Sequence, residues 1–419
     1  MQIYLGSGCP VRYEVSSLKS IVRITGISIL AGMNAEPVLP IDRAPVVKVV
    51  DLFCGAGGLA YGLKSAGLEI AAGVDLDPAC RHPFEKNCGG VFAEKSVADV
   101  TLDELSHWFA GADVRLLAGC APCQPFSTYS QSRKTPDDRW SLLRSFLRLA
   151  LESRPEIVTM ENVRGLASKP IWQEFVTGLQ EAGYQTVWDE VLCSDYGVPQ
   201  SRRRLVLIAS LIGKISMPTA STRGSSPTVA HAIAGLPRLE AGEADRKDQL
   251  HSACRLSPKN LQRIRASKPG GTWRDWPEAL RADCHLKETG ETYPAVYGRM
   301  SWDEPAPTMT TQCFGYGNGR FGHPEQDRAI TLREAAIIQS FPASYSFLPK
   351  GERASFAKVG MLIGNAVPPK LGEAIGHSVM AHLDIPARTG INSDEYNSLS
   401  GISLGDMSGE GTGTQGLLF

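Results

Sequence analysis

The chain has 419 residues, 42% hydrophobic and 21% charged, with a net charge of −1. That length supports two or three domains with a real core, and this balance of apolar and charged residues excludes a disordered or collagen-like chain. No apolar run approaches the roughly 20 residues that span a bilayer, and Arg23 interrupts IVRITGISILAG (21–32), which also starts too far from Met1 for a secretory signal.

Residues 1–44 show no clear periodicity and read as an N-terminal extension. MNAEPVLPIDRAP, from Met33, is a polar, Pro-rich lead-in and a candidate translation start. From residue 46 short apolar runs alternate with amphipathic stretches. VVKVVDLF predicts a strand, GLAYGLKSAG a helix, EIAAGVD a strand and PACRHPFEKN a helix. TLDELSHWFA predicts a helix opened by Thr101 with Glu104 three residues on, a capping box. VRLLAG and EIVTMEN predict strands separated by a helix in RWSLLRSFLRLALESR. IWQEFVTGLQEAG predicts a helix ending at Gly183, and YQTVWDEVLC and RLVLIAS two further strands. This βαβα alternation implies an α/β fold with a mainly parallel sheet and helices on both faces.

The pattern breaks near residue 211, where Pro, Gly, Ser and Arg replace long periodic runs. Residues 201–300 carry 17 Lys/Arg against 9 Asp/Glu, so 17 − 9 = +8, and the rest of the chain must sum to −9. A basic segment in an acidic chain suits one polyanion-binding domain, or simply a solvated basic face. Helical character returns at TLREAAIIQSFP and again at VPPKLGEAIGHSVMAHL, with Pro at its start. The Gly/Ser/Thr-rich tail after 387 is expected to be disordered.

Three stretches carry chemistry. In DLFCGAGGLAYG, Gly55, Gly57 and Ala60 match G-x-G-x-x-A between a strand and a helix, and Asp75 follows Gly55 by 20 residues. That is the layout of a nucleoside-cofactor site, in which an acid accepts from ribose hydroxyls. GCAPCQPFS places Cys120 and Cys123 three apart after an apolar run. A redox pair, half of a metal site and a single nucleophile all remain open on those residues. The ten cysteines are spread irregularly and read as reduced thiols of a cytosolic protein. MENVRGL places Glu161 and Asn162 at a strand end, and PQSRRRLVLIA places three arginines at a strand start.

Taken together, DLFCGAGG, APCQPFS, ENVRGL, DYGVPQSRRRL, RAITLREAAIIQSFP and IGNAVPP, in this order over about 46–385, resemble the C5-cytosine DNA methyltransferases. The resemblance implies a Rossmann-like sheet of the class I methyltransferase type plus a smaller, irregular DNA-recognition domain. It divides the chain into a catalytic domain (45–210), a target-recognition domain (211–354), a segment returning to the catalytic domain (355–387) and a tail (388–419). It implies S-adenosylmethionine as cofactor, double-stranded DNA as partner, a separate cognate restriction endonuclease as a further one, a monomer, and the bacterial cytosol.

The resemblance also assigns residues. Cys123 is the nucleophile that adds to cytosine C6, Glu161 the partner of N3 and the exocyclic amine, and Arg204, with Arg202 beside it, the ligand of O2. Cys120 is then a bystander packed as a small hydrophobe. Phe53, Gly55, Ala56, Gly57, Gly58, Leu59, Asp75, Leu76, Pro122, Asn365 and Val367 align with the cofactor pocket. An acid that reads the adenine amine is often found after the third strand. Ser96 stands there, with Asp99 as the alternative after a shift of register, and Leu362 stands where Gln is common. Gln124, Ser127, Arg133 and Lys134 are expected on a loop over the DNA, and Lys268 and Arg274 at its phosphates. Trp273 and Trp276, among basic residues, are either part of that surface or core. No metal is implied. The alternatives are the same chemistry on RNA, a catalytically silent DNA-binding regulator and, more distantly, a redox enzyme.

Overall fold

In a computed structural model of the protein, residues 45–122, 140–287 and 294–385 are described. Seven strands form one sheet in the order β3-β2-β1-β4-β5-β7-β6. They are β1 (Val47–Leu52), β2 (Glu69–Asp75), β3 (Val91–Glu94), β4 (Val114–Gly119), β5 (Ile157–Asn162), β6 (Gln185–Leu192) and β7 (Arg203–Ser210). The β3-β2-β1-β4-β5 pairs are parallel, whereas β7 runs antiparallel to both β5 and β6. The central strands are near-continuous apolar runs because both of their faces are covered. Edge strand β6 is largely exposed and carries Gln185, Asp189 and Glu190.

The strand alternation divides the core. Val47 and Val49 of β1 face one apolar cluster, Val50 and Leu52 the other. The second cluster is completed by α3 (Leu102–Trp108), α4 (Ser141–Ser153) and α5 (Pro170–Glu181), through Leu105, Phe146 and Phe175. The first is completed by α1 (Gly58–Ser65), α2 (Arg81–Cys88), α6 (Val229–Ile233), α8 (Leu332–Ile338), α9 (Phe356–Asn365) and α10 (Pro369–His382). Each fully buried Leu, Val or Phe there stabilises the fold by about 1.5–3 kcal/mol. The predicted capping box is present on α3: Glu104 N–H donates to Thr101 Oγ1 at 3.3 Å, and Thr101 N–H to Glu104 Oε2 at 2.9 Å. Helix α10, drawn from the far end of the sequence, lies directly on α1. A Cβ at Gly62 would stand 2.2 Å from the Pro369 carbonyl oxygen, so only glycine admits that approach.

Residues 211–354 are irregular, as their composition suggests. Part of the segment shares the first cluster, through Val229, Leu250, Met300 and Phe321. Beside α7 (Pro258–Ala266) a small separate cluster gathers Ile264, Trp273, Trp276 and Tyr316. Both tryptophans are therefore core, and Trp276 Nε1 donates to Ser267 Oγ at 2.8 Å. Lys268 and Arg274 stay exposed around them, with the Arg274 guanidinium 5.4 Å from the Trp273 ring centre. No helix among the described residues is long and apolar enough to cross a membrane.

Candidate active site

A cavity of about 610 Å³ opens at the C-terminal edge of the parallel strands. In such sheets the crevice beyond the strand ends is where ligands sit. The loops after β1, β2, β3, β4 and β5 reach it. Because β7 is antiparallel, its start delivers Arg202 and Arg204 to the same edge, and the α9–α10 link closes the wall with Asn365, Ala366 and Val367.

The glycine loop is held from several directions. Gly55 N–H donates to Asp75 Oδ2 at 2.9 Å, and Asp77 N–H donates to Asp75 Oδ1 at 3.0 Å. Tyr345 donates its hydroxyl to the Ala56 carbonyl. Phe53 has φ +59°, a left-handed backbone uncommon for a bulky residue. Strain of this kind gathers at ligand sites.

Of the expected cofactor residues, Phe53, Gly55, Ala56, Leu59, Asp75, Leu76, Pro122, Asn365 and Val367 line the cavity. Gly57 and Gly58 do not, and their lack of a side chain has another cause. Gly57 has φ +83°, and a Cβ there would stand 2.8 Å from Cys88 Sγ. A Cβ at Gly58 would stand 2.1 Å from the Val367 carbonyl oxygen. Both glycines let the loop pack against α2 and the α9–α10 link. Ser96 lines the cavity, while Asp99 is exposed and is not among its lining residues, so the shifted register places no acid there.

Sequence reasoning missed Asp51, at the end of β1. It is 1% exposed and lines the cavity, and the Ala60 amide approaches its carboxyl without full hydrogen-bond geometry. Burial pushes its carboxyl up to about 8, with Asp75 adding to the rise against the Ala60 amide. An acid inside the apolar run VVDLF was the available signal. A buried acid that burial keeps protonated, beside a glycine loop and an acid suited to ribose hydroxyls, fits a nucleoside ligand whose positive charge would favour its ionised form. S-adenosylmethionine has that character.

Deeper along the same edge, Glu161 is 2% exposed. Arg204 Nε lies 2.9 Å from Glu161 Oε1, yet the angle is too bent for a hydrogen bond and Oε1 has no other. Asn162 donates from Nδ2 to the Ala121 carbonyl at 2.9 Å, tying the end of β5 to the loop after β4. Cys120 is not only packed: its thiol donates to Glu161 Oε2 at 2.9 Å. Arg202, expected beside the base, lines the cavity and is also tied to backbone carbonyls. It is 3% exposed and donates to the Met309 carbonyl at 3.0 Å and to the Gly364 and Ala366 carbonyls at 3.4 Å each. Burial, with Arg204 nearby, pulls it down to about 10. Gln200 and Gln339, both fully buried, extend this knot: Gln200 Nε2 donates to Gln339 Oε1 at 2.7 Å, and Gln339 Nε2 to the Ala366 carbonyl at 2.6 Å. Cys123, Gln124, Ser127, Arg133 and Lys134 lie outside the described residues.

An α/β sheet with this order and a cavity at its strand ends is a methyltransferase fold. It is shared with a prophage-encoded Escherichia coli protein described as a DNA modification methyltransferase (TM-score 0.60, 21% identity, 81% of this chain and 99% of that one). It is also shared with the Dnmt2 methyltransferase of S. pombe (TM-score 0.52, 16% identity, 81% and 99%). The family model for C-5 cytosine-specific DNA methylases matches residues 47–381, and the chain belongs to that family. Type II methylase M.HgiDII of Herpetosiphon aurantiacus is 48% identical over 340 residues, 80% of this chain and 96% of that protein. Type II methyltransferase M.Eco47II of Escherichia coli is 34% identical over 349 residues, 81% and 80%. The protein is accordingly a DNA (cytosine-5-)-methyltransferase.

Proposed function

We propose that the enzyme methylates cytosine C5 within a specific duplex DNA site, by way of a covalent bond from Cys123 to C6. The observation that carries this reading is the buried Glu161, set beside Arg204 on the wall of a cavity shaped for a nucleoside cofactor. Cytosine C5 is a weak nucleophile. Thiolate addition at C6 moves the C5–C6 π pair onto C5, which splits one hard step into easier ones. S-adenosylmethionine, when bound, supplies an electrophilic methyl on a sulfonium. Glu161, engaging N3 and the exocyclic amine, favours the protonated ring that accepts the thiolate, and Arg204 holds O2. Loss of the C5 proton then expels the thiolate from C6. A stacked base cannot meet a thiol, so the cytosine is flipped out of the duplex.

For the cofactor, Asp75 would accept the ribose hydroxyls through the lone pairs left by Gly55 and Asp77, while Phe53, Pro122 and Asn365 line its walls. Asp75→Ala is expected to weaken S-adenosylmethionine binding by about 1.5–3 kcal/mol, the range for a lost bond to a charged group. Ser96→Ala is expected to change it far less, because Ser96 Oγ caps a local turn by accepting from Ala98 N–H. Calorimetry giving the reverse order would overturn the ribose assignment.

Residues 211–354 would choose the sequence, their positive excess supplying phosphate contacts. Lys268→Ala with Arg274→Ala should weaken DNA binding and lower the slope of log K against log salt by ~1–2. An unchanged slope would remove both residues from the phosphate contacts. The Type II relatives support a role in restriction-modification, with any cognate endonuclease acting separately. The direct test is bisulfite sequencing of plasmid exposed to the protein in cells. Protected cytosines at one recurring site are expected, and modification confined to RNA would replace this reading with the RNA enzyme.

A further inference from the structure

We infer that Cys120 is a positioning residue for Glu161, its thiol fixing the carboxylate in the orientation from which Oε1 meets the base; this rests on the methyltransferase mechanism proposed above. Glu161 ends β5 and Cys120 follows β4, the strand paired with it through Met160 and Gly119. Register therefore brings the two side chains together at the cavity rim, and both line it. Cys120 Sγ donates to Oε2 at 2.9 Å. That leaves Oε1, buried and met by Arg204 Nε at 2.9 Å outside hydrogen-bond geometry, as the oxygen turned toward a ligand.

Without the thiol, a carboxylate on this short strand end has one strong attractor, the Arg204 guanidinium, whose Nε is 2.9 Å from Oε1. Rotation toward a bidentate pair with Arg204 would then occupy both groups that the base needs. A thiol suits the task because it is a weak, neutral donor: it restrains the carboxylate without competing for charge. The charged and titratable groups near Glu161 are Arg202 just before β7, Arg204 on β7, Cys120 just after β4, and Cys193 in the turn between β6 and β7. Among the described residues it is the Cys120 thiol that lies within hydrogen-bond reach of the carboxylate, at 2.9 Å from Oε2.

The test compares wild type, Cys120→Ala and Cys120→Ser on duplex DNA with S-adenosylmethionine. Cys120→Ala should lower kcat by about three- to tenfold, the scale of one modest hydrogen bond, with KM for DNA unchanged and the acidic limb of the kcat–pH profile moved upward. Cys120→Ser, which retains a donor, should restore most of the rate and the profile. In infrared spectra of the free enzyme, wild type should show an S–H stretch shifted to low frequency, absent in Cys120→Ala and moved in Glu161→Gln. A Cys120→Ala enzyme with the wild-type profile, or one changed only in KM, would overturn the inference, as would an S–H band indifferent to Glu161→Gln. A wild-type protein that binds DNA but transfers no methyl group would instead sink the parent mechanism, leaving the infrared result to judge the Cys120–Glu161 contact alone.

Discussion

Cys123→Ala is expected to abolish turnover and covalent capture of DNA, while Cys120→Ala still captures it, more slowly. With 5-fluorocytosine at the target, the C5 substituent cannot leave as a proton after methyl transfer. The S–C6 bond then persists, and the protein migrates as an enzyme–DNA adduct on a denaturing gel. Only Cys123 sits in the Pro-Cys-Gln context, and a thiol is a far better nucleophile than a hydroxyl. Cys120 is committed to Glu161 instead. Both variants should bind S-adenosylmethionine with wild-type affinity. If both lose trapping while folded and cofactor-competent, the single-nucleophile mechanism fails and a cysteine pair acting together takes its place.

Arg328→Met should be the most destabilising of the single changes considered, by about 3–5 kcal/mol, because it leaves Glu334 charged and buried. Arg328 is fully buried and grips both oxygens of Glu334, Nη1 at 2.8 Å and Nη2 at 2.7 Å, while Glu334 also accepts from Thr331 N–H at the start of α8. Burial alone would raise the Glu334 carboxyl, but the paired guanidinium holds it below the usual range. Its contribution is therefore complete above its unfolded pKa and is lost as pH falls through the folded one. His323 adds a second acid-sensitive contribution nearby. Its Nδ1 accepts from the Glu325 and Gln326 amides at 3.1 and 3.0 Å, an arrangement that requires a neutral ring. Burial pulls His323 from 6.5 down to about 4, against the opposing pull of Glu334. A depressed histidine stabilises fully above its unfolded pKa, so stability should decline as pH drops from 6.5 toward 4, with a limiting slope of about 1.4 kcal/mol per pH unit. Urea unfolding checks both claims: Arg328→Met against wild type at pH 7 for the ion pair, and wild type at pH 7 against pH 5 for His323. His323→Gln should flatten the difference between the two, and an unchanged difference would locate the acid sensitivity elsewhere.

The strands were legible because apolar runs bounded by Gly and Pro are local signals, and the capping box on α3 is local as well. Arrangements set by distant parts of the chain were less so. The antiparallel course of β7, which turns an arginine run into part of the cavity wall, depends on its pairing with β5. The tethering of Arg202 was not legible, because nothing in SRRRL tells that its carbonyl partners wait at Met309, Gly364 and Ala366. Gly57 and Gly58 read as ligand-facing for the same reason, since the atoms they accommodate belong to Cys88 and Val367. Trp273 and Trp276 were ambiguous because an aromatic among arginines satisfies both a core and a surface pattern, and only burial decides.

The seating of α10 on α1 has a consequence for synthesis on the ribosome. Gly62 meets Pro369 backbone, and Gly376 lies so close to Ala66 that a Cβ would stand 2.5 Å from the alanine methyl. Two helices some 300 residues apart in the sequence thus cover each other's apolar faces. Contacts of such separation form late. During translation α1 emerges early, yet its partner is made only some 300 residues later. At about 5–20 residues per second, that wait is on the order of tens of seconds, during which Leu59 and Leu63 lack their cover. The same delay keeps the α9–α10 wall of the cavity missing until some 300 residues after α1 have been made.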